Sequence, residues 1–247
     1  YTDGEAVTIS SKVTDSDFDP IVGLALHEGS HIKLTDFTIL KAMLQAYFND
    51  MGECSTPYFM LSDEYCKKLF KKHLSDRYLV DDGNYYVIRY VSPIVKNLLN
   101  VIEDRRIDNY IYTTAPGYKG YYHSMYEKYF NAKIIDRGLK SSEYRENTWD
   151  SYMFRIINLT NKNRDLDALP VLRQVWDLID LKNISRLKNT TDALTLAFEI
   201  FKLIEDSIPA PQTNGKENDE DNQQENDNES NENNSDDSQD DGSQGGD

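Results

Sequence analysis

The feature that most limits what this chain can fold into is an abrupt change of composition at Pro211. Before that point the sequence is rich in leucine, isoleucine, valine, tyrosine and phenylalanine, whereas residues 211–247 contain no aromatic and no aliphatic side chain. A segment made mainly of Asn, Asp, Glu, Gln, Ser and Gly cannot bury enough apolar surface to offset the entropy of ordering its backbone. We therefore predict one folded domain over residues 1–210 and a disordered acidic linker or tail over residues 211–247.

The charge of the chain is divided in the same way. Residues 211–247 hold 13 acidic residues and one lysine, a net charge of −12 out of −16 for the whole chain. The domain lacks the basic excess typical of nucleic-acid-binding proteins, so we expect no nucleic-acid partner. No apolar run approaches the roughly 20 residues that a membrane helix needs, so we expect no membrane association. Reduced thiols at Cys54 and Cys66, rather than a disulfide, are expected in a cytoplasmic protein.

Apolar spacing predicts a fold that is mainly α with a small β-sheet (α+β). Residues 6–10 alternate and are β-prone, which predicts a short strand, and residues 81–84 predict a turn. Asp19 is expected to cap the first helix with Pro20 at its first position, and Thr35 or Asp36 to cap the second. The predicted helices cover residues 21–34, 36–49, 63–74, 93–112, 121–132, 141–159, 169–181 and 191–208.

The segment 27–31 carries the strongest chemical signal. Its sequence is His-Glu-Gly-Ser-His on an apolar helix, and the spacing of four places the imidazoles of His27 and His31 on one helix face, one turn apart. Two such histidines can bind one zinc ion. Glu28 lies about 100° around the helix, where it can take a proton from a metal-bound water. The alternative is a buried, hydrogen-bonded histidine pair without metal.

A catalytic zinc usually has three protein ligands, so a third is needed. The best candidate is Glu103, which lies on the apolar face of the predicted helix 93–112 and therefore needs a cation beside it, either zinc or an arginine. Asp104 and Asp108 share a face and form the second choice, one as ligand and one as support. His73 and His123 are weaker candidates. No single member of the tyrosine-rich segment 118–129 is singled out as a transition-state donor.

The two helices and the acidic tail together resemble the metallopeptidase-like region of bacterial and phage proteins that carry a von Willebrand factor A domain. Those proteins are related in layout to the large accessory subunit of cobalt chelatase. The resemblance implies a zincin-like metallopeptidase domain over residues 1–210, followed by an acidic linker and an adhesion domain downstream. It also implies an AAA+ ATPase as a partner.

Carried onto this sequence, the resemblance implies His27 and His31 as zinc ligands, Glu28 as the base and Glu103 as the third ligand. One position departs from the pattern of zincins with a glutamate ligand. Those proteins place an acidic residue four positions after that glutamate, where this chain has Ile107. Asp104 and Asp108 are the available substitutes for supporting a zinc-bound histidine.

Three functional hypotheses follow. The first is a zinc-dependent peptidase that hydrolyses a peptide or protein substrate through a zinc-activated water, with Glu28 as general base. The second is a non-proteolytic module in which zinc stabilises a scaffold that recruits an ATPase or a von Willebrand factor A domain. The third is a helical domain without metal.

Overall fold

A computed structural model describes residues 4–9, 14–46, 54–74 and 80–211, and for residues 80–86 it describes the backbone alone. The described residues form ten α-helices, which confirms the prediction that the fold is mainly α. The helices are α1 (Phe18–Leu34), α2 (Phe37–Leu44), α3 (Asp63–Leu74), α4 (Val80–Thr114), α5 (Lys119–Tyr129), α6 (Lys133–Lys140), α7 (Trp149–Ile157), α8 (Leu172–Ile179), α9 (Leu181–Ile184) and α10 (Thr190–Ser207).

The predicted strand at residues 6–10 is not formed in the described part of the chain. Val7 makes an isolated β-bridge, as does Cys54, and Ser10 lies outside the described residues. A single bridge leaves the neighbouring backbone without the ladder of hydrogen bonds that defines a sheet. The described residues therefore give no support for the small β-sheet.

Helix α4 organises the domain. It extends the predicted helix by 13 residues at its start, so the turn predicted at residues 81–84 is wrong and Pro93 lies inside the helix. Proline removes one backbone hydrogen bond at a cost of about 3 kcal/mol. Val87, Val91 and Val95, on the turns around Pro93, are almost fully buried. Their burial offsets that cost and carries the helix across the proline.

The main core forms where α10 packs against α4. α10 contributes a continuous buried face that includes Leu194, Phe198, Phe201 and Ile204. Glu205 is also fully buried, and its carboxylate accepts hydrogen bonds from a lysine, a histidine, a tyrosine and a tryptophan on three other helices. These donors are Lys72, His73, Tyr90 and Trp149. The cluster joins α3, α4, α7 and α10 through one satisfied buried charge.

Helix α1 packs most extensively against α5 and also contacts α4. Gly23 permits this close approach, because a Cβ atom there would lie 2.4 Å from the backbone oxygen of Tyr121. α1 also contacts α4 on the side of His27 and His31, where Asp104 and Asp108 of α4 face them.

Polar side chains that cap the backbone set several helix boundaries, and some of these boundaries differ from the predicted ones. Asp36 caps α2 as predicted, accepting a hydrogen bond from the backbone of Thr38 at 2.9 Å. α1 begins at Phe18, so Asp19 lies in its first turn and is not its cap. The predicted helix 141–159 is wrong over residues 141–148, which are not helical, and α7 begins at Trp149 after its cap Thr148. Asp180 likewise separates α9 from α8. α2 ends at Leu44, five residues before the predicted end of the second helix, and residue 49 itself lies outside the described residues.

Residues Tyr1–Pro211 form one compact unit. Residues 212–247 lie outside the described part, so the disorder of the tail stays a prediction. Cys54 and Cys66 are both free thiols. None of the helices in the described ranges combines the length and the apolar character needed to cross a bilayer.

Candidate metal centre

The two histidines of α1 meet at their Nε2 atoms. His27 and His31 are four residues apart on a regular helix, and their Nε2 atoms lie 3.3 Å from each other. The ring centroids are 4.9 Å apart and the rings are nearly perpendicular. The geometry predicted from the spacing is therefore present, with both rings directed at one point.

Asp104 of α4 completes a triangle with this pair. Its Oδ1 atom lies 3.1 Å from Nε2 of His31 and 3.4 Å from Nε2 of His27. An ion bound tetrahedrally with bonds of about 2.0–2.1 Å holds its ligand atoms about 3.3–3.4 Å apart. The three atoms therefore have the spacing of one face of such a tetrahedron. Within the described residues, they form the one group of histidine, cysteine or acidic side chains with this property.

The tautomer of His31 follows from its other partner. Nδ1 of His31 lies 3.0 Å from the hydroxyl oxygen of Thr35, and that hydroxyl donates to the carboxylate of Glu103 at 2.7 Å. Because the proton of Thr35 is directed at Glu103, its oxygen is left to accept from Nδ1–H of His31. With Nδ1 committed to Thr35, Nε2 of His31 is the nitrogen that would offer its lone pair to a metal ion in the triangle.

His27 has an analogous but longer support. Its Nδ1 atom faces Oδ1 of Asp108 at 3.6 Å, and both atoms are buried without a hydrogen bond to any described residue. The other carboxylate oxygen of Asp108 accepts a short hydrogen bond from the hydroxyl of Tyr126. A proton on Nδ1 of His27 would be directed at Asp108, and Nε2 would be free to bind a cation.

The carboxylates of Asp104 and Asp108 favour a positive charge on or between the two histidines. Burial alone would lower the pKa of His27, but the close carboxylates of Asp104 and Asp108 raise it to about 10. Burial alone would raise the pKa of Asp104, but His27 and His31 lower it to about 2. A group of this charge holds either a proton or a metal ion between its members, because both compete for the same lone pairs.

Glu103, the predicted third ligand, is not among the three donors of the triangle. The residue is 1% exposed, and its carboxylate accepts two hydrogen bonds from the Arg106 guanidinium, at 2.9 and 2.7 Å. It also accepts from Thr35 at 2.7 Å and from Thr190 at 3.5 Å. Glu103 and Asp104 differ by one residue, or about 100° around α4, so only Asp104 reaches the histidines. Glu103 is paired with an arginine, which was the alternative to zinc at this position. Asp104 and Asp108, the second choice from the sequence, lie beside the histidines.

A cavity of about 490 Å³ opens onto the triangle. Glu28, the predicted base, is half-buried and lines this cavity with His27, His31 and Asp104. Of the tyrosine-rich segment, Tyr126 and Tyr129 also line it. The rest of the wall is largely apolar and includes Leu24, Phe37, Leu40, Met125 and Phe130.

Some contributing residues were not predicted as part of the site. Thr35 was considered only as a helix cap, although its position four residues after His31 places it on the same helical face. Arg106 is three residues after Glu103, a spacing that also places two side chains side by side. His73 belongs to the cluster around Glu205, and His123 lines a different cavity, so neither is in the triangle.

Comparison with known proteins adds no assignment. A scan against protein-family models found no matching family, and searches of curated proteins and of solved structures found no match. The family resemblance described from the two motifs therefore remains a prediction carried by the residues themselves.

Proposed function

We propose that this chain is a zinc-dependent peptidase whose metal is held by His27, His31 and Asp104. The observation that supports the proposal is the triangle of their donor atoms, with edges of 3.1, 3.3 and 3.4 Å. Three protein ligands leave one position of a tetrahedral site for water or substrate, which is the arrangement of catalytic zinc. When bound, zinc would polarise the scissile carbonyl and lower the pKa of water at that position.

Glu28 is the proposed general base. It follows His27 on α1 and lines the cavity that opens onto the triangle. From this wall its carboxylate would take the proton of the attacking water and pass it to the leaving amine. The apolar wall, formed in part by Leu24, Met125 and Phe130, would hold a substrate side chain and exclude bulk water.

The wider setting is proposed from the sequence motifs alone. We propose a zincin-like metallopeptidase domain of the kind associated with von Willebrand factor A domains in bacterial and phage proteins. An AAA+ ATPase and a downstream von Willebrand factor A domain are the partners this implies, in the cytoplasm. The order of the two motif helices and the acidic tail supports this setting.

The test uses the full chain and three variants. Zinc bound after dialysis is measured by elemental analysis, and cleavage of an unfolded protein mixture is followed by mass spectrometry. We expect one zinc per chain, with Glu28→Gln retaining zinc but losing about 10²–10⁴-fold in activity. Asp104→Asn should lose zinc. Glu199→Gln, at an exposed glutamate of α10, is the matched control and should change neither.

Two results would count against the proposal. A protein that binds no zinc after exposure to the metal is not a zinc enzyme. Zinc binding with equal cleavage by the wild type and by Glu28→Gln would remove Glu28 from the reaction.

A non-proteolytic role is the second candidate, and one observation favours it. The triangle takes two donors from α1 and one from α4, so a metal there would link two helices and stabilise their packing. In that case chelation of zinc would lower the unfolding temperature and weaken partner binding. Glu28→Gln would leave both unchanged.

A further inference from the structure

Two consecutive arginines of α4 have very different surroundings. Arg106 makes two close hydrogen bonds to Glu103. Arg105 is 7% exposed, yet its contacts to described residues are long. Its Nε atom is 3.5 Å from the backbone oxygen of Ile179, and Nη1 is 3.9 Å from Oδ2 of Asp108. The Arg105 guanidinium therefore has donor capacity that these long contacts do not use and that an anion could complete.

The carboxylate of Asp108 does not complete it. One of its oxygens accepts from Tyr126 and the other faces His27. Arg105 therefore retains hydrogen-bonding capacity for a further acceptor, and its planar fork suits a carboxylate.

Arg105 lines two cavities that adjoin the metal cavity. The nearer cavity, of about 420 Å³, shares Asp104 and Tyr126 with the metal cavity and also contains Arg105. The farther cavity, of about 450 Å³, shares Arg105, Tyr126 and Thr160 with the nearer one. Tyr126 thus lines all three cavities. Arg105 lines the nearer and the farther cavity but not the metal cavity.

The farther cavity also contains cations suited to an anionic peptide. Lys162 and Arg164 line the same cavity from exposed positions, and Arg164 lies over the Trp176 ring at 4.7 Å from its centroid.

The charge of this cavity suits one negative group. Its three cations, Arg105, Lys162 and Arg164, are opposed by two carboxylates, Asp108 and Glu127, which leaves one positive charge if His123 is counted as neutral. Glu127 is already hydrogen-bonded to the Asn131 amide at 2.6 Å. One net positive charge matches a single carboxylate better than a doubly charged phosphate.

We propose that Arg105 binds a carboxylate of the peptide substrate, so that the substrate class is peptides with an acidic side chain or a free C-terminus beyond the bond held at the metal. This inference rests on the proposed peptidase function, because it calls the bound peptide a substrate. The binding itself depends only on Arg105 and the adjoining cavities. An acidic side chain and a C-terminus offer the same group, and the experiment separates them.

The experiment measures peptide retention by the full chain carrying Glu28→Gln, with zinc and again with EDTA. Three pools of N-acetylated hexapeptides without Asp are compared by equilibrium dialysis and mass spectrometry. One pool is neutral, with a C-terminal amide and no Glu. The second has a free C-terminal acid, and the third has the amide with one Glu at each position in turn. We expect one acidic pool to be retained at least about tenfold over the neutral pool, with or without zinc.

Variants added to this background test the role of Arg105. Arg105→Met should bring the preference to within about twofold of none, and Arg105→Lys should keep part of it, because the charge remains while the fork is lost. Arg173→Met removes an exposed arginine paired with Asp167 and should change nothing. Thermal unfolding of each variant shows whether it is folded. If Arg105→Met is unfolded, the role of Arg105 is tested by comparing the acidic preference of Arg105→Lys with that of Arg173→Met.

Several outcomes overturn the proposal. Equal retention of all pools, or no retention of any pool, is one. A second is a preference for an acidic pool that Arg105→Met leaves intact. A third is a preference that disappears when EDTA removes the zinc, because such a preference comes from binding of the carboxylate to the metal. Charge-selective binding without cleavage by the wild type would refute the peptidase proposal alone. Cleavage without selectivity would refute only the role of Arg105.

Discussion

Two neighbouring acidic residues of α4 have opposite roles in this structure. Asp104 points its Oδ1 atom at the two histidines, whereas Glu103 is held by Arg106. The predicted consequence is a separation of phenotypes between Asp104→Asn and Glu103→Gln. The first should lose zinc and should cost the metal-free protein less stability than the second, because Asp104 balances the charge of the histidines but its side chain is 37% exposed. The second should lose stability while keeping the three donor atoms.

The loss expected for Glu103→Gln follows from what its carboxylate satisfies. It accepts two hydrogen bonds from Arg106 and one from Thr35 while being 1% exposed. Removing one partner of a buried ion pair leaves the other uncompensated, at a cost of about 3–5 kcal/mol. For a domain of this size each kcal/mol lowers the unfolding temperature by about 2–4 °C, so we expect a decrease of about 6–20 °C.

The loss expected for Asp104→Asn follows from its place in the triangle. Residues that only support a metal ligand cost about 10–100-fold in affinity when replaced. Asp104 is proposed as a direct ligand and supplies the charge of the site, so its loss should weaken zinc binding by more than about 100-fold. Asn preserves the shape of the side chain, which limits the change to charge and donor strength.

The assay combines two measurements on the same variants. Zinc affinity is measured by titration against a competing chelator, and stability by thermal unfolding in EDTA. The reasoning is refuted if Glu103→Gln abolishes zinc binding at native stability while Asp104→Asn still binds zinc like the wild type. Loss of zinc in both, with both variants stable, would make Glu103 a ligand.

Three further predictions concern the surroundings of the site and the core. Thr35→Val and Asp108→Asn should each weaken zinc binding by about 10–100-fold, because each releases one histidine from its support; unchanged affinity in the chelator titration would contradict this. Gly23→Ala should destabilise the protein by about 1–3 kcal/mol or more, since its Cβ meets the backbone of α5 at 2.4 Å, whereas Gly29→Ala, with open space around it, should stabilise by up to about 1 kcal/mol. Equal effects of the two in thermal unfolding would show that the close approach is not needed. Burial alone would raise the pKa of Glu205, but its four hydrogen-bond donors lower it below the ordinary 4.5. Its contribution to stability is therefore present above about pH 4.5 and is lost as the pH falls further. The difference in unfolding free energy between the wild type and Glu205→Gln should shrink over that range, and a difference independent of pH would contradict the assignment.

Local patterns were sufficient for much of the helical structure. The sequence pattern predicted α3 at its observed bounds, and Asp36 was one of the two residues predicted to cap the second helix. Local patterns predicted the wrong backbone conformation where contacts with residues distant in the sequence determine it. Turn-forming residues at 81–84 and Pro93 predicted breaks, but the backbone of α4 is helical through both because the buried turns around Pro93 hold it. Propensity differences of a few kcal/mol are smaller than the burial of several core side chains.

The sequence by itself determined the part of the site that lies on one helix. The spacing of His27 and His31 puts both imidazoles on one face of α1 in any fold that keeps that helix, and Glu28 follows on its flank. The third donor was decided only by tertiary structure. Glu103 and Asp104 are adjacent acidic residues on the same helix, and what separates them is a rotation of about 100°. α1 packs on α5, closely at Gly23, and on α4, and in this arrangement Asp104 faces the histidines while Glu103 pairs with Arg106. The physical reason is that a buried carboxylate needs a cation, and each carboxylate pairs with the cation that its face of the helix can reach.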